Sequence, residues 1–202
     1  RYGIALMMLD GGVFEHNIFE NMLINTGHKR GVEYGIFLDI HKRNSGSRLG
    51  RIRNLLFKNI SIITEGNLLI AGQKNAPLEY IDFENVTLTV KDISSLARAK
   101  KPTVEQFGDS AGLDDYSTEP ALLTFANIEH LNLSNVKLFF EYEKEPYLDR
   151  HALYFNNVNH ALIDRFKGRQ AQQDGNEATI LCVNSSDFVI VNSTAAEGTH
   201  QF

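Results

Sequence analysis

The sequence has one cysteine and no tryptophan among its 202 residues. The lone Cys182 excludes an internal disulfide and any zinc site built from several cysteines. It lies in the apolar stretch ATILCV, where we expect a buried, unreactive thiol. No apolar run approaches the ~20 residues that a membrane-spanning helix needs, so no membrane span is predicted. No signal peptide is recognisable.

The sequence also lacks a strong charge imbalance. It has 20 lysines and arginines against 25 aspartates and glutamates, a formal net charge of −5. This balance gives no whole-molecule reason to expect nucleic acid as a partner. Phosphate-binding glycine loops and serine-nucleophile motifs are absent, and the seven histidines show no metal-ligand spacing. The sequence therefore predicts neither a cofactor nor a metal.

What the sequence does contain is a repeated apolar pattern centred on asparagine. In IRNLLFKNISII (52–63) and LEYIDFENVTLT (78–89), the apolar alternation shifts by one residue at the asparagine. Alternation indicates a strand, and the shift would turn its second half to the opposite face. A bend in the left-handed conformation, which asparagine tolerates, keeps both halves facing inward. The corner positions predicted in this way are Asn21, Asn59, Asn85, Asn135, Arg165 and Asn192.

A further apolar strand precedes each corner motif, so the repeating unit is strand, turn, strand, corner and short strand. Six units of irregular length are typical of a solenoid with insertions. We predict an all-β right-handed parallel β-helix, a β-solenoid of about six coils with loop insertions. Asparagines stacked at the corners would bond to one another, and His16, His130 and His160 would stack near the corners. The alternative is an antiparallel sandwich, which does not explain the repeated shift.

The units occupy the whole chain. We predict a single β-helix domain over residues 1–202, with residues 91–119 as an inserted loop. Because the sequence opens on Arg1 and not on a methionine, inside the strand-like run RYGIALMML, we expect the chain to be a C-terminal piece of a longer protein.

Four segments resemble the later coils of polygalacturonase-like enzymes, glycoside hydrolase family 28. They are RYGIALMMLDGGVFEHNIFENMLI (1–24), GRIRNLLFKNISI (50–62), PLEYIDFENVTL (77–88) and IEHLNLSNVKL (128–138). The resemblance implies a secreted protein, extracellular or periplasmic, that hydrolyses acidic pectic polysaccharide with inversion. It also implies a cluster of catalytic aspartates, in which an inverting pair stands ~6.5–9.5 Å apart to admit water.

The sequence departs from the family at its catalytic motifs. The Asn-Thr-Asp and Gly-His-Gly motifs are missing, and Ala5 and Met7 occupy the positions of the cations in Arg-Ile-Lys. We therefore expect the catalytic aspartates to lie upstream of Arg1. The alternative is a non-catalytic solenoid that binds polysaccharide or serves as a tailspike-like adhesin.

Candidate substrate-binding residues follow the first strands of two units. Lys42 and Arg43 come directly after IFLDIH, and Gln73 and Lys74 directly after LLIAG, so stacked coils would make them neighbours. Segment 28–53 is rich in cations although the whole chain is acidic. Such a local positive strip suits a polyanionic sugar. Solvated turn charges are the alternative interpretation.

Two further candidates lie elsewhere. Arg150 and His151 open the equivalent strand two units later, where Arg150 either pairs with Asp149 or orients a sugar hydroxyl. Asp10 precedes two glycines and is the single candidate for a catalytic carboxylate, although aspartate in that position is typically a turn former.

Overall fold

The computed structural model describes residues 2–26, 34–64, 67–91, 121–141, 150–172 and 175–195, so the predicted loop 91–119 lies outside it except for Lys91. These residues form strands and turns, and they include no helix that could cross a bilayer. The strands are β1 (Tyr2–Met8), β2 (Val13–Thr26), β3 (Tyr34–Ile40), β4 (Arg51–Thr64), β5 (Asn67–Ala71), β6 (Leu78–Val90), β7 (Ala121–Ser134), β8 (Lys137–Phe140), β9 (His151–Asp164), β10 (Lys167–Gly168), β11 (Ile180–Val183), β12 (Ser186–Val191) and β13 (Thr194–Ala195).

The strands pair in three parallel ladders. The first ladder joins β1, β3, β5, the first halves of β7 and β9, and β11. The second joins the first parts of β2, β4 and β6 to the second halves of β7 and β9 and to β12. The third joins the last parts of β2, β4 and β6 to β8, β10 and β13.

This pairing is consistent with a parallel β-solenoid, and it overturns the alternative of an antiparallel sandwich. Across the described ranges, the isolated bridge between Gln73 and Ala76 is the one antiparallel pairing. Two neighbouring parallel strands need a long connection between them. Here the remainder of one repeat forms that connection.

Left-handed backbone angles mark three kinds of corner: the first and third lie at the two boundaries of the second ladder, and the second lies within it. The first corner holds Asn127, Asn157 and Asn184, the second His16, Asn54, Tyr80, His130, His160 and Asp187, and the third Asn21, Asn59, Asn85, Asn135, Arg165 and Asn192. The third set is the one predicted from the shift in alternation, and its φ values lie between 51° and 57°. The predicted bend is thus confirmed, including the copy in which arginine replaces asparagine.

The predicted asparagine ladder is also present along the third corner. Asn59 Nδ2 donates to Asn21 Oδ1 at 3.2 Å, Asn85 to Asn59 at 3.0 Å, and Asn135 to Asn85 at 2.8 Å. The ladder stops at Arg165, whose guanidinium donates instead to Ser134 Oγ at 3.0 Å. Each asparagine therefore tolerates the corner conformation and also bonds to the next repeat.

The core lies inside the three ladders, where equivalent residues of successive repeats stack. The rings of Phe57 and Phe83 are buried and stacked, with centroids 4.8 Å apart. The first and third ladders approach each other closely near Gly35, where a Cβ atom would stand 2.5 Å from Ile62 Cγ2. Glycine at this position allows the two ladders to meet.

The expectation of a buried Cys182 is wrong, because the residue is exposed. Cys182 pairs with Phe155 in an inward-facing row of the first ladder. It belongs to β11, whose one partner among the described strands is β9. Because no further described strand covers β11, its inward-facing residues keep the apolar pattern but are not necessarily buried.

Candidate functional site

Asp10 and Arg43 meet at the carboxyl end of the first ladder. The backbone N–H of Arg43 donates to the Leu9 carbonyl at 3.0 Å, which continues the pairing beyond the strands. Arg43 Nε lies 3.2 Å from Asp10 Oδ2, and Ser47 Oγ donates to Asp10 Oδ1 at 2.7 Å. Both carboxylate oxygens are thus engaged, and the positive φ of Gly11, 86°, completes a turn. Asp10 therefore stabilises the turn that follows β1.

The other candidates from the strand ends are at the same edge of the ladder. Lys42 is exposed beside Arg43, and Lys74 is exposed in the tight turn that follows β5. Gln73 closes that turn through two backbone hydrogen bonds with Ala76, each of 3.0 Å. Its side-chain Nε2 is buried and has no hydrogen-bond partner. The structure thus brings β3 and β5, with these cations after them, side by side.

Arg150 and His151 are at the opposite, amino end of the first ladder. Arg150 is 2% exposed. Desolvation by burial lowers the pKa of its guanidinium, and the field of Tyr34 partly offsets that effect. His151 Nδ1 accepts a hydrogen bond from the Ala178 N–H at 3.0 Å. The alternative partner Asp149 lies outside the described residues. A strand length therefore separates this pair from Lys42 and Lys74.

A buried polar cluster on the outer side of β3 was missed by the sequence analysis. Asp39 and His41 are two positions apart, so both point to the same side of the strand. Asp39 Oδ2 is hydrogen-bonded to His41 Nδ1, and both side chains are fully buried. Burial raises the pKa of nearby Tyr34, as do the fields of Tyr2 and Asp39, whereas Arg150 acts in the opposite direction.

We interpret this cluster as a structural feature of the outer face, because both side chains are fully buried. Burying a charge is costly unless the charge is paired and hydrogen-bonded, and the contact between Asp39 and His41 meets that requirement. Beside it, Tyr34, Phe37 and Leu69 form an apolar cluster outside the ladder. The outer side of β3 and β5 is thus a second, smaller core.

The second ladder has an open outer face with a groove of about 310 Å³. Its lining residues are His16, Asn17, Ile18, Asn54, Leu55, Leu56, Tyr80 and Asp82. Burial raises the pKa of the Asp82 carboxyl, although a hydrogen bond from Asn132 counteracts it.

An aromatic stack flanks this groove along the second corner. The ring centroids of Tyr80 and His130 are 4.4 Å apart, and those of His130 and His160 are 4.8 Å apart, and in each pair the ring planes are nearly parallel. The predicted stacking of His130 with His160 is confirmed. His16 occupies the same corner set, but Asn54 lies between it and Tyr80 along the row.

In the described part of the cation-rich segment 28–53, acidic residues of neighbouring strands pair with two of the arginines. Arg51 Nη2 lies 3.0 Å from Glu79 Oε1, and Arg53 Nε lies 2.5 Å from Glu15 Oε2. The hydrogen bond from Arg53 lowers the pKa of Glu15. The positive strip is therefore weaker than the sequence indicates, and Lys42 stays exposed at its edge.

No group of three or more histidine, cysteine, aspartate or glutamate side chains in the described ranges is placed to hold a metal ion. Comparisons of the chain with known protein families, with functionally described proteins and with solved structures found no match.

Proposed function

We propose that the chain forms about six coils of a right-handed parallel β-helix and is part of a secreted glycoside hydrolase of the polygalacturonase type, acting on acidic pectic polysaccharide. The observation that carries this proposal is the register of the three parallel ladders. Register places equivalent side chains of successive repeats in straight rows with a step of ~4.8 Å. A linear glycan laid along such a row meets a comparable group at every step.

The role assigned to this part of the chain is glycan binding. Ser47 and Arg43 engage both carboxylate oxygens of Asp10 in the turn, so this residue is not assigned a catalytic role. The general acid and base of the hydrolase are then supplied by other coils. Lys42 and Lys74 are exposed at the end of the first ladder and can contact carboxylates of a uronan.

Binding and cleavage are tested separately. We expect the chain to bind an oligogalacturonate in isothermal titration calorimetry, more weakly as the salt concentration rises, because exposed charges are screened. We expect no new reducing ends on incubation with polygalacturonate. A fully methyl-esterified oligogalacturonate and a neutral glucan are the controls, and neither should bind comparably.

The possible outcomes separate the proposals. Absence of binding to oligogalacturonate would contradict the proposed function. Binding together with cleavage would contradict the assignment of the catalytic groups to other coils. The engagement of both Asp10 oxygens also favours the second candidate, a non-catalytic polysaccharide-binding solenoid. A longer form of the protein that binds uronan and still leaves it intact would support that candidate.

A further inference from the structure

Polar side chains form a straight row on the outer side of the third ladder. Its members occupy directly paired positions of successive strands, and all of them are exposed or half-buried: Ser61, Thr87, Lys137, Lys167 and Thr194. We refer to these five residues as the third-ladder row. Paired positions of adjacent strands repeat at ~4.8 Å. The row therefore presents hydroxyl groups on either side of two adjacent ammonium groups.

The two lysines of the row repel each other. Lys137 and Lys167 are paired in register, and like charges directly opposite in a sheet are destabilising. No carboxylate among the described residues forms an ion pair with either. By contrast, Lys58 Nζ lies 2.8 Å from Glu84 Oε2, and Lys91 Nζ lies 3.6 Å from Glu141 Oε2. The third-ladder row thus keeps two unneutralised cations that an anionic ligand would stabilise.

An exposed aromatic ring adjoins these cations. Phe139 is two residues after Lys137, so it points to the same outer side of β8. It is 40% exposed and is paired with Thr89 of β6. An exposed ring beside an ammonium group offers a flat apolar surface to the C–H face of a sugar.

We propose that the third-ladder row is the binding surface for an unbranched acidic glycan that carries a carboxylate on successive sugars. This inference rests on the proposed function and gives the glycan a second surface, apart from the edge that holds Lys42 and Lys74. Lys137 and Lys167 would bind consecutive carboxylates, while Thr87 and Thr194 donate to or accept from sugar hydroxyls. Phe139 contacts one sugar ring. The glycan would lie along the stack of strands, across β6, β8, β10 and β13.

The test compares two charge-matched double variants of the whole chain. Lys137→Gln with Lys167→Gln should weaken oligogalacturonate binding roughly tenfold or more and reduce its salt dependence. The urea midpoint of this variant should stay the same or rise, because a repulsion is removed. The control, Lys58→Gln with Lys91→Gln, removes the same charge from ion-paired lysines. It should keep the affinity and lower the midpoint. Phe139→Ala should weaken binding without changing the salt dependence.

Each other outcome overturns part of the proposal. Equal loss of affinity in both double variants would show an effect of bulk charge and overturn the row. Unchanged affinity in the Lys137/Lys167 variant, with loss in Lys42→Ala combined with Arg43→Ala, would overturn the row and leave the proposed function intact. Equal binding of polyglutamate and oligogalacturonate would overturn the specificity for a glycan. A parent chain that binds no oligogalacturonate would overturn both the row and the proposed function.

Discussion

The side-chain amide of Asn85 donates to that of Asn59 at 3.0 Å, and both residues have a left-handed backbone, with φ of 55° and 53°. Two properties of asparagine are used at once at this corner. Its backbone enters a region that most residues avoid, and its side chain links one repeat to the next. Substitution can separate these two contributions.

We expect Asn85→Ala to destabilise the chain more than Asn85→Gly does. Glycine adopts the left-handed conformation without strain but removes the amide, whereas alanine loses both features. The free energy of unfolding should fall by about 2 kcal/mol for alanine and about 1 kcal/mol for glycine. Urea titration followed by circular dichroism measures both. Equal losses would show that the corner conformation contributes nothing to the choice of residue.

The contact between the first and third ladders predicts a steric effect at Gly35. An added Cβ would stand 2.5 Å from Ile62 Cγ2, so Gly35→Ala forces core atoms to move. Overpacking of this kind costs ~1–3 kcal/mol. The matched control is Gly46→Ala, where the nearest atom is the Asn44 side-chain oxygen at 3.4 Å, and a change within ~0.5 kcal/mol is expected. Equal urea midpoints for the two variants would refute the close approach.

The carboxyl of Asp82 predicts a pH-dependent stability. Burial raises its pKa above the ordinary value of 3.8, so the fold favours the protonated form. Its contribution to stability is complete below that ordinary value and is lost as the pH rises through the folded-state pKa. We therefore expect Asp82→Asn to raise the urea midpoint at neutral pH and to have little effect at about pH 3.

The matched control for this prediction is Asp164→Asn, which makes the same change of charge. Asp164 Oδ2 lies 3.0 Å from Arg165 Nη2, and its Oδ1 accepts from Asn192 at 3.0 Å. Removing this charge should lower the midpoint at neutral pH. A rise in both variants would indicate relief of the overall negative charge and would contradict the role given to burial.

The third corner could be predicted because one residue type and one shift in alternation coincide there. The second corner could not be recognised by residue type, since its occupants include His16, Asn54, Tyr80 and Asp187. A signal did exist, because the inward residues flanking this corner are three positions apart, as in Ile52 and Leu55. The ladder pairing on both sides of this corner can impose left-handed angles on residues other than asparagine.

The site could be predicted only in part, because the partners of its cations come from distant repeats. Arg53 is hydrogen-bonded to Glu15, 38 positions earlier, and that contact depends on the register between β2 and β4. Asp39 and His41 are visible in the sequence as neighbours on one strand face. Their burial on the outer side of the ladder depends on tertiary packing, which local alternation does not encode.

The step from the second corner to the third is five positions in every repeat, whereas successive third corners are separated by 38, 26 and 50 residues among Asn21, Asn59, Asn85 and Asn135. Variation in length is thus confined to segments outside that step. Losing one residue between Asn54 and Asn59 would turn every later inward side chain of that strand toward water. Insertions elsewhere in a repeat leave the cross-section intact. Inserted peptides should therefore be tolerated in the long connecting segments and not in the five-residue step.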